Sequence, residues 1–260
     1  MPRSCQAGRC VIGALALLLA GGEPAAAGQG APVDLELVLA IDTSGSIDPW
    51  EFGLQIRGLA AAFRDPTVGA AIAGSTPNGL AVALVQWSGA GEQLRTTDWA
   101  LIADGAAAAD FARRIATSGR QFMGRTAIAG GLQFATALIL RNPYDGARKV
   151  IDLSGDGRSN DGPDPGAARD AAILAGITIN GLAVTTDRAD LGGYFRERVI
   201  GGPDAFVVTA QDYQDFVRAI RIKLLREIGG TPVGDAGQGD PEPSDAALWV
   251  AERPPAILSR

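Results

Sequence analysis

Apolar residues along this chain gather in short, nearly continuous runs at residues 33–41, 80–87, 150–153, 177–184 and 205–209. Runs of this length, rich in Val, Ile and Leu, suit strands buried on both faces. Between them lie stretches with helical spacing at 49–63, 102–117, 127–140, 165–175 and 211–228. The alternation predicts an α/β fold: a doubly wound, mostly parallel central sheet flanked by helices on both faces. The first helix has the clearest start. Asp48 is placed to cap it, Pro49 fits the first helical position, and Glu51 can complete a capping box.

The two ends of the chain depart from this alternation. Arg3 and Arg9 precede an apolar stretch at 11–20, and Ala25-Ala26-Ala27 follows it. That is the layout of a cleaved export signal, and the stretch is shorter than the roughly 20 apolar residues a membrane span needs. No Arg-Arg pair precedes it, which argues against the twin-arginine route. The two cysteines, Cys5 and Cys10, both fall inside the signal, so the mature chain would hold no disulfide and no thiolate metal site. Residues 229–260 carry five glycines and five prolines without a period, which reads as a flexible tail with one apolar patch at Leu248-Trp249-Val250. The predicted organisation is a signal peptide at 1–27, one domain at 28–228 and a Pro/Gly-rich tail at 229–260. The predicted location is periplasmic or secreted.

Composition narrows the function. With 260 residues, 47% hydrophobic and 20% charged, the chain can bury a sizeable core. Its net charge of -6 argues against nucleic acid as the main partner. There is no histidine, hence no imidazole base or ligand, and neither a G-x-S-x-G elbow nor a phosphate-binding G-x-x-x-x-G-K-[ST] loop occurs.

The remaining chemistry sits at strand ends. Asp42-Thr43-Ser44-Gly45-Ser46 follows the first apolar run, and the run at 150–153 leads into Ser154-Gly155-Asp156-Gly157. In an open parallel sheet the carboxyl ends of strands are where binding sites form. A carboxylate and hydroxyls at alternate positions offer the oxygen ligands that hard divalent cations require. Gly124-Arg125-Thr126 adds a third segment, a turn leading into a helix. Each piece alone also fits a commoner role. Asp42 and Ser46 suit a turn and cap, Thr126 a helix cap, and Asp156-Gly157 an ordinary turn. Asp152 lies inside its strand and reads as a buried, hydrogen-bonded aspartate. The run 156–167 fails the calcium-loop pattern, with Arg158, Asp161 and Ala167 at its third, sixth and twelfth positions. Trp87 reads as packing, and Arg125 either as a contact for an acidic partner or as a solvated side chain.

Taken together, DTSGS, GRT and SGDG resemble the metal-ion-dependent adhesion site of von Willebrand factor type A domains, which include the integrin inserted domains. The resemblance covers roughly residues 33–228. Val150-Ile151-Asp152-Leu153-Ser154-Gly155-Asp156-Gly157 looks more specifically like a bacterial exported branch of unknown function. The resemblance implies a metal held by Asp42, Ser44, Ser46, Thr126 and Asp156. Ser44 and Ser46 would ligate through their hydroxyls, Thr126 directly or in one conformational state, and the two aspartates directly or through water. It implies Mg2+, or Mn2+ or Ca2+, and a protein partner that presents an Asp or Glu carboxylate.

The expected function is therefore an exported, metal-dependent protein-binding module, an adhesion or scaffold domain without catalysis. Two alternatives stand beside it: a magnesium-dependent hydrolase built on Asp42 and Asp156, and a domain whose metal is purely structural. An aspartyl-phosphate phosphatase would usually carry an acid two residues after the first aspartate, where Ser44 stands. By analogy with integrin-like relatives, the helix at 211–228 would move with metal ligation.

Overall fold

The computed structural model describes Met1 and residues 30–229; the rest of the expected signal at 1–27 and nearly all of the expected tail at 229–260 lie outside the described residues. The sheet has six strands: β1 (Ala31–Asp42), β2 (Leu80–Trp87), β3 (Gln93–Ile102), β4 (Tyr144–Gly155), β5 (Ile177–Val184) and β6 (Val207–Ala210). Their order is β3-β2-β1-β4-β5-β6, and only the β2–β3 pairing is antiparallel. The strand order reverses between β1 and β4, which leaves a crevice at their carboxyl ends. Asp42 ends β1 opposite Trp87, and Ile41 pairs with Ser154 just before Asp156. The register thus carries the DTSGS and SGDG segments to the same rim.

Side-chain alternation along the strands divides the core. Leu35, Leu37, Leu39 and Ile41 face a layer built from Leu59, Ile72, Phe111 and Phe216. These residues belong to α1 (Pro49–Ala62), α2 (Pro66–Ser75), α3 (Gly105–Ala116) and α7 (Phe216–Gly229). Val38 and Ala40 point the other way, toward Leu132, Ala172 and Phe195. Those belong to α4 (Ile128–Ile139), α5 (Pro165–Leu174) and α6 (Leu191–Arg198). With helices on both faces, near-continuous apolar strands are the only solution that keeps both layers dry.

Several elements differ from the expectation drawn from pattern alone. β3 was not anticipated, and Ile102 ends this strand where a helix was expected to begin. The helix itself starts at Gly105, capped by Asp104, whose carboxylate accepts from Ala107 N. Helices α2 and α6 were likewise unforeseen. Strand β4 begins at Tyr144, ahead of the apolar run, and α7 begins at Phe216 instead of residue 211. Among the described residues no helix is long and apolar enough to cross a membrane.

Candidate metal centre

The centre is built from three loops on one rim. The first leaves β1 at Asp42 and turns into α1. Asp42 accepts a hydrogen bond from Ser44 N at 2.7 Å, folding the loop back on itself. The capping box is present in full: Glu51 N donates to Asp48 at 2.8 Å, and Asp48 N donates to Glu51 at 2.8 Å. Asp48 is therefore occupied at the helix start, as its position before Pro49 suggested.

Hydroxyls and carboxylates then line up across the loops. Ser44 Oγ lies 3.2 Å from Ser46 Oγ, and Ser46 Oγ donates to Asp156 Oδ1 at 2.9 Å. Thr126 is buried on the third loop. Its N–H donates to Asn160 Oδ1 at 2.9 Å, and its hydroxyl lies 3.9 Å from where a Cβ on Gly157 would sit. It does not cap α4, whose N-cap is Ala127 with no side-chain capping bond. The structure thus brings Asp42, Ser44, Ser46 and Asp156 into one connected chain of contacts and sets Thr126 beside it.

The backbone of the first loop is clamped by residues that sequence reasoning overlooked. Arg120 donates to Thr43 O at 2.9 Å, Ser44 O at 2.6 Å and Phe122 O at 2.9 Å. Gln55 donates to Asp42 O at 3.1 Å and meets the hydroxyl of Ser154. Gly45 N donates to Gly124 O at 2.8 Å, and a Cβ on Gly45 would lie 3.1 Å from Met123 O. A side chain at Gly45 would therefore press the two loops apart. Gln55 left a trace in the sequence, because it shares the inward stripe of α1 with Phe52, Ile56 and Leu59. Arg120, in an irregular segment, left none.

Electrostatics single out Asp42. Its Oδ2 is buried and has no hydrogen-bond partner. A Cβ on Gly155, the last residue of β4, would lie only 3.1 Å from that oxygen and would crowd it. Burial, and then the nearby Asp156 charge, push the Asp42 carboxyl from 3.8 to about 7. Burial also raises the Asp156 carboxyl, with Asp187 adding to the effect and Arg188 opposing it. Tyr213, in the turn three residues before α7, is another buried group in this field. Its hydroxyl has no partner, and burial followed by the charges of Asp156 and Asp42 drives its pKa upward.

These features fit a divalent cation. Two carboxylates that repel each other and an unpartnered buried carboxylate oxygen are both relieved by one dication, and three neutral hydroxyls complete an oxygen donor set. Among the described residues, no group of three or more His, Cys, Asp or Glu is arranged to hold a metal. The candidate set instead pairs two acids with hydroxyls. Asp152 is buried and ion-paired to Lys223, away from this set. Trp87 is buried packing, with its indole N–H donating to Ala40 O, and Arg125 is exposed.

Residues 32–232 match the family model described as "Protein of unknown function (DUF1194)". The chain belongs to the DUF1194 family. No curated protein matches it. Solved structures show what fold this DUF1194 member adopts. Proximal thread matrix protein 1 from the mussel byssus is 15% identical, over 78% of this chain and 50% of its own, with a TM-score of 0.55. The pilus adhesin SpaC from Lactobacillus rhamnosus GG, in its open conformation, is 14% identical, over 77% and 30%, with a TM-score of 0.56. A von Willebrand factor type A protein from Catenulispora acidiphila is 18% identical, over 75% and 43%, with a TM-score of 0.55. The chain spans half or less of the length of these structures. The shared fold is that of von Willebrand factor A domains. One structure of the mussel protein is described as having a zinc-occupied MIDAS motif.

Proposed function

We propose that this DUF1194 protein is an exported, metal-dependent protein-binding module. The observation that carries the reading is the unpartnered Oδ2 of the buried Asp42, set within reach of the Asp156 charge and beside a row of hydroxyls. Ser44, Ser46 and Thr126 would offer hydroxyl oxygens to the ion, and Asp42 and Asp156 would balance its charge directly or through water. Magnesium suits such a set, with manganese or calcium as alternatives. The bound ion would supply an open position for an Asp or Glu carboxylate from a partner protein.

The chain's own residues hold that arrangement ready. Arg120 and Gln55 fix the carbonyls of the first loop, so Ser44 and Ser46 keep their order without a ligand. Both aspartates have the task of neutralising the ion, which leaves neither as a general base. We therefore read the protein as an adhesion or scaffold domain and not an enzyme. The likeness to an adhesin and to a byssus matrix protein supports this at the level of fold. The apolar stretch at 11–20 after Arg3 and Arg9 supports export to the periplasm or beyond.

The test is capture of partners from the exported protein fraction by immobilised protein, in magnesium and in EDTA. Partners retained in magnesium, released by EDTA and lost with Asp42→Ala support the reading. Equal capture in both buffers, or capture unchanged by the substitution, contradicts it.

A further inference from the structure

A second buried charge cluster lies between the sheet and α7, apart from the metal centre. Lys223 on α7 places its ammonium 2.7 Å from Asp152 Oδ1 on β4 and 2.6 Å from Glu227 Oε1, one helical turn further along α7. All three side chains are at most 2% exposed. Asn180 on β5 donates to the same Glu227 oxygen at 3.0 Å and accepts from Phe206 N at 3.1 Å. The second oxygens of both carboxylates, Asp152 Oδ2 and Glu227 Oε2, are buried without a hydrogen-bond partner.

Counting charge exposes the difficulty. One ammonium faces two carboxylates, so the sealed cluster carries one excess negative charge if every group is ionised. Of the other charged groups nearby, Arg148 on β4 donates to the last carbonyls of α7, Glu227 O at 2.6 Å and Ile228 O at 3.0 Å. Its charge is felt by Glu227 and then by Asp34 on β1, but it makes no hydrogen bond to the Glu227 carboxylate, whose Oε2 stays without a partner. Arg226 lies over the Phe206 ring at 4.0 Å, the same ring that Lys223 approaches at 5.5 Å. An uncompensated charge in such a site is costly, and unpaired carboxylate oxygens add to the cost. A single proton cancels the charge and turns one acceptor into a donor.

We propose that the Lys223–Asp152–Glu227 cluster is a proton-operated latch, which fastens α7 to β4 and β5 when it holds one extra proton. Burial, and then the Asp152 charge, lift the Glu227 carboxyl from 4.5 to about 7, with Lys223 opposing. The folded value lies above the ordinary one. The latch therefore holds most firmly below about pH 4.5, weakens as the pH rises toward 7 and stays weak above it. The chain has no histidine, so near-neutral sensing falls to buried carboxyls of this kind.

The experiment is hydrogen exchange on the full chain at pH 5, 6, 7 and 8, corrected for intrinsic exchange rates. It compares the wild type with Glu227→Gln, which imitates the protonated carboxyl. Helix α4, on the opposite face of the sheet, serves as the internal reference. In the wild type, α7 loses up to about tenfold protection per pH unit between pH 5 and 7, relative to α4. In the variant α7 keeps a constant protection, at least tenfold above the wild type at pH 8. Identical pH profiles of α7 protection relative to α4 in the two proteins overturn the proposal. Should the variant not fold, the carbon-13 shift of the wild-type Glu227 carboxyl decides. A midpoint near neutrality supports the latch, and one near 4.5 overturns it.

Discussion

Replacing Asp42 by Asn should strengthen the metal-free fold while destroying the site for the ion. The folded protein holds the Asp42 carboxyl near 7 against an ordinary 3.8. At 1.36 kcal/mol per pH unit, that difference amounts to about 4 kcal/mol of lost stability once the group is ionised. The sign follows from the raised value. Below about pH 4 the carboxyl is protonated in both states and has no effect; the loss grows as the pH rises to 7 and is constant beyond. Asparagine keeps the acceptor for Ser44 N and never ionises. It leaves an unpaired amide in place of Oδ2, which costs about 1 kcal/mol. A net gain of about 3 kcal/mol at pH 8 should raise Tm by roughly 6–12 °C for a domain of this size. The assay is thermal unfolding by circular dichroism at pH 4 and pH 8, in EDTA and in magnesium. The variant should fall about 1 kcal/mol below the wild type at pH 4, exceed it at pH 8 in EDTA, and gain nothing from magnesium. A variant less stable than the wild type at pH 8 in EDTA would refute the reasoning, since it would mean that the Asp42 charge is already compensated without metal.

Arg120→Ala removes three bonds to the carbonyls of Thr43, Ser44 and Phe122 and should cost about 3 kcal/mol in urea unfolding. The same change should weaken metal binding, and a calorimetric titration with unaltered affinity would show that the loop holds its shape without the clamp. Asp48→Ala breaks the capping box of α1 and should cost about 1 kcal/mol. Its metal affinity should stay within twofold of the wild type, because Asp48 serves the helix and not the ion.

The legibility of this chain follows burial. Strands β2 and β5 were read with the bounds they have, because both are buried nearly throughout and mostly apolar, with only Gln86 in β2 and Thr178 and Asn180 in β5 breaking the runs. β3 escaped because it is an antiparallel edge strand. Arg95, Asp98 and Leu101 point outward, and the remaining inward residues make no continuous run. Helix α2 buries only Val68 and Ile72, and α6 is eight residues long with two glycines, too little pattern for either to stand out. The candidate ligands were legible because a carboxylate and hydroxyls at alternate positions after a strand form a local motif. Their clamp was not, since Arg120 reaches a loop 77 residues away. The same holds for the latch. Asp152 could be read as buried, but the lysine that answers it sits 71 positions later on another element.

The most direct test of the central claim is a calorimetric titration of the full-length chain with manganese at neutral pH, repeated with Ser46→Ala and with Asp156→Ala. The account predicts one saturable site in the wild type. Affinity should fall at least tenfold when the Ser46 hydroxyl is removed, and binding should be lost when the Asp156 carboxylate is removed. An absence of binding in the wild type, or one site that survives both substitutions unchanged, would contradict it.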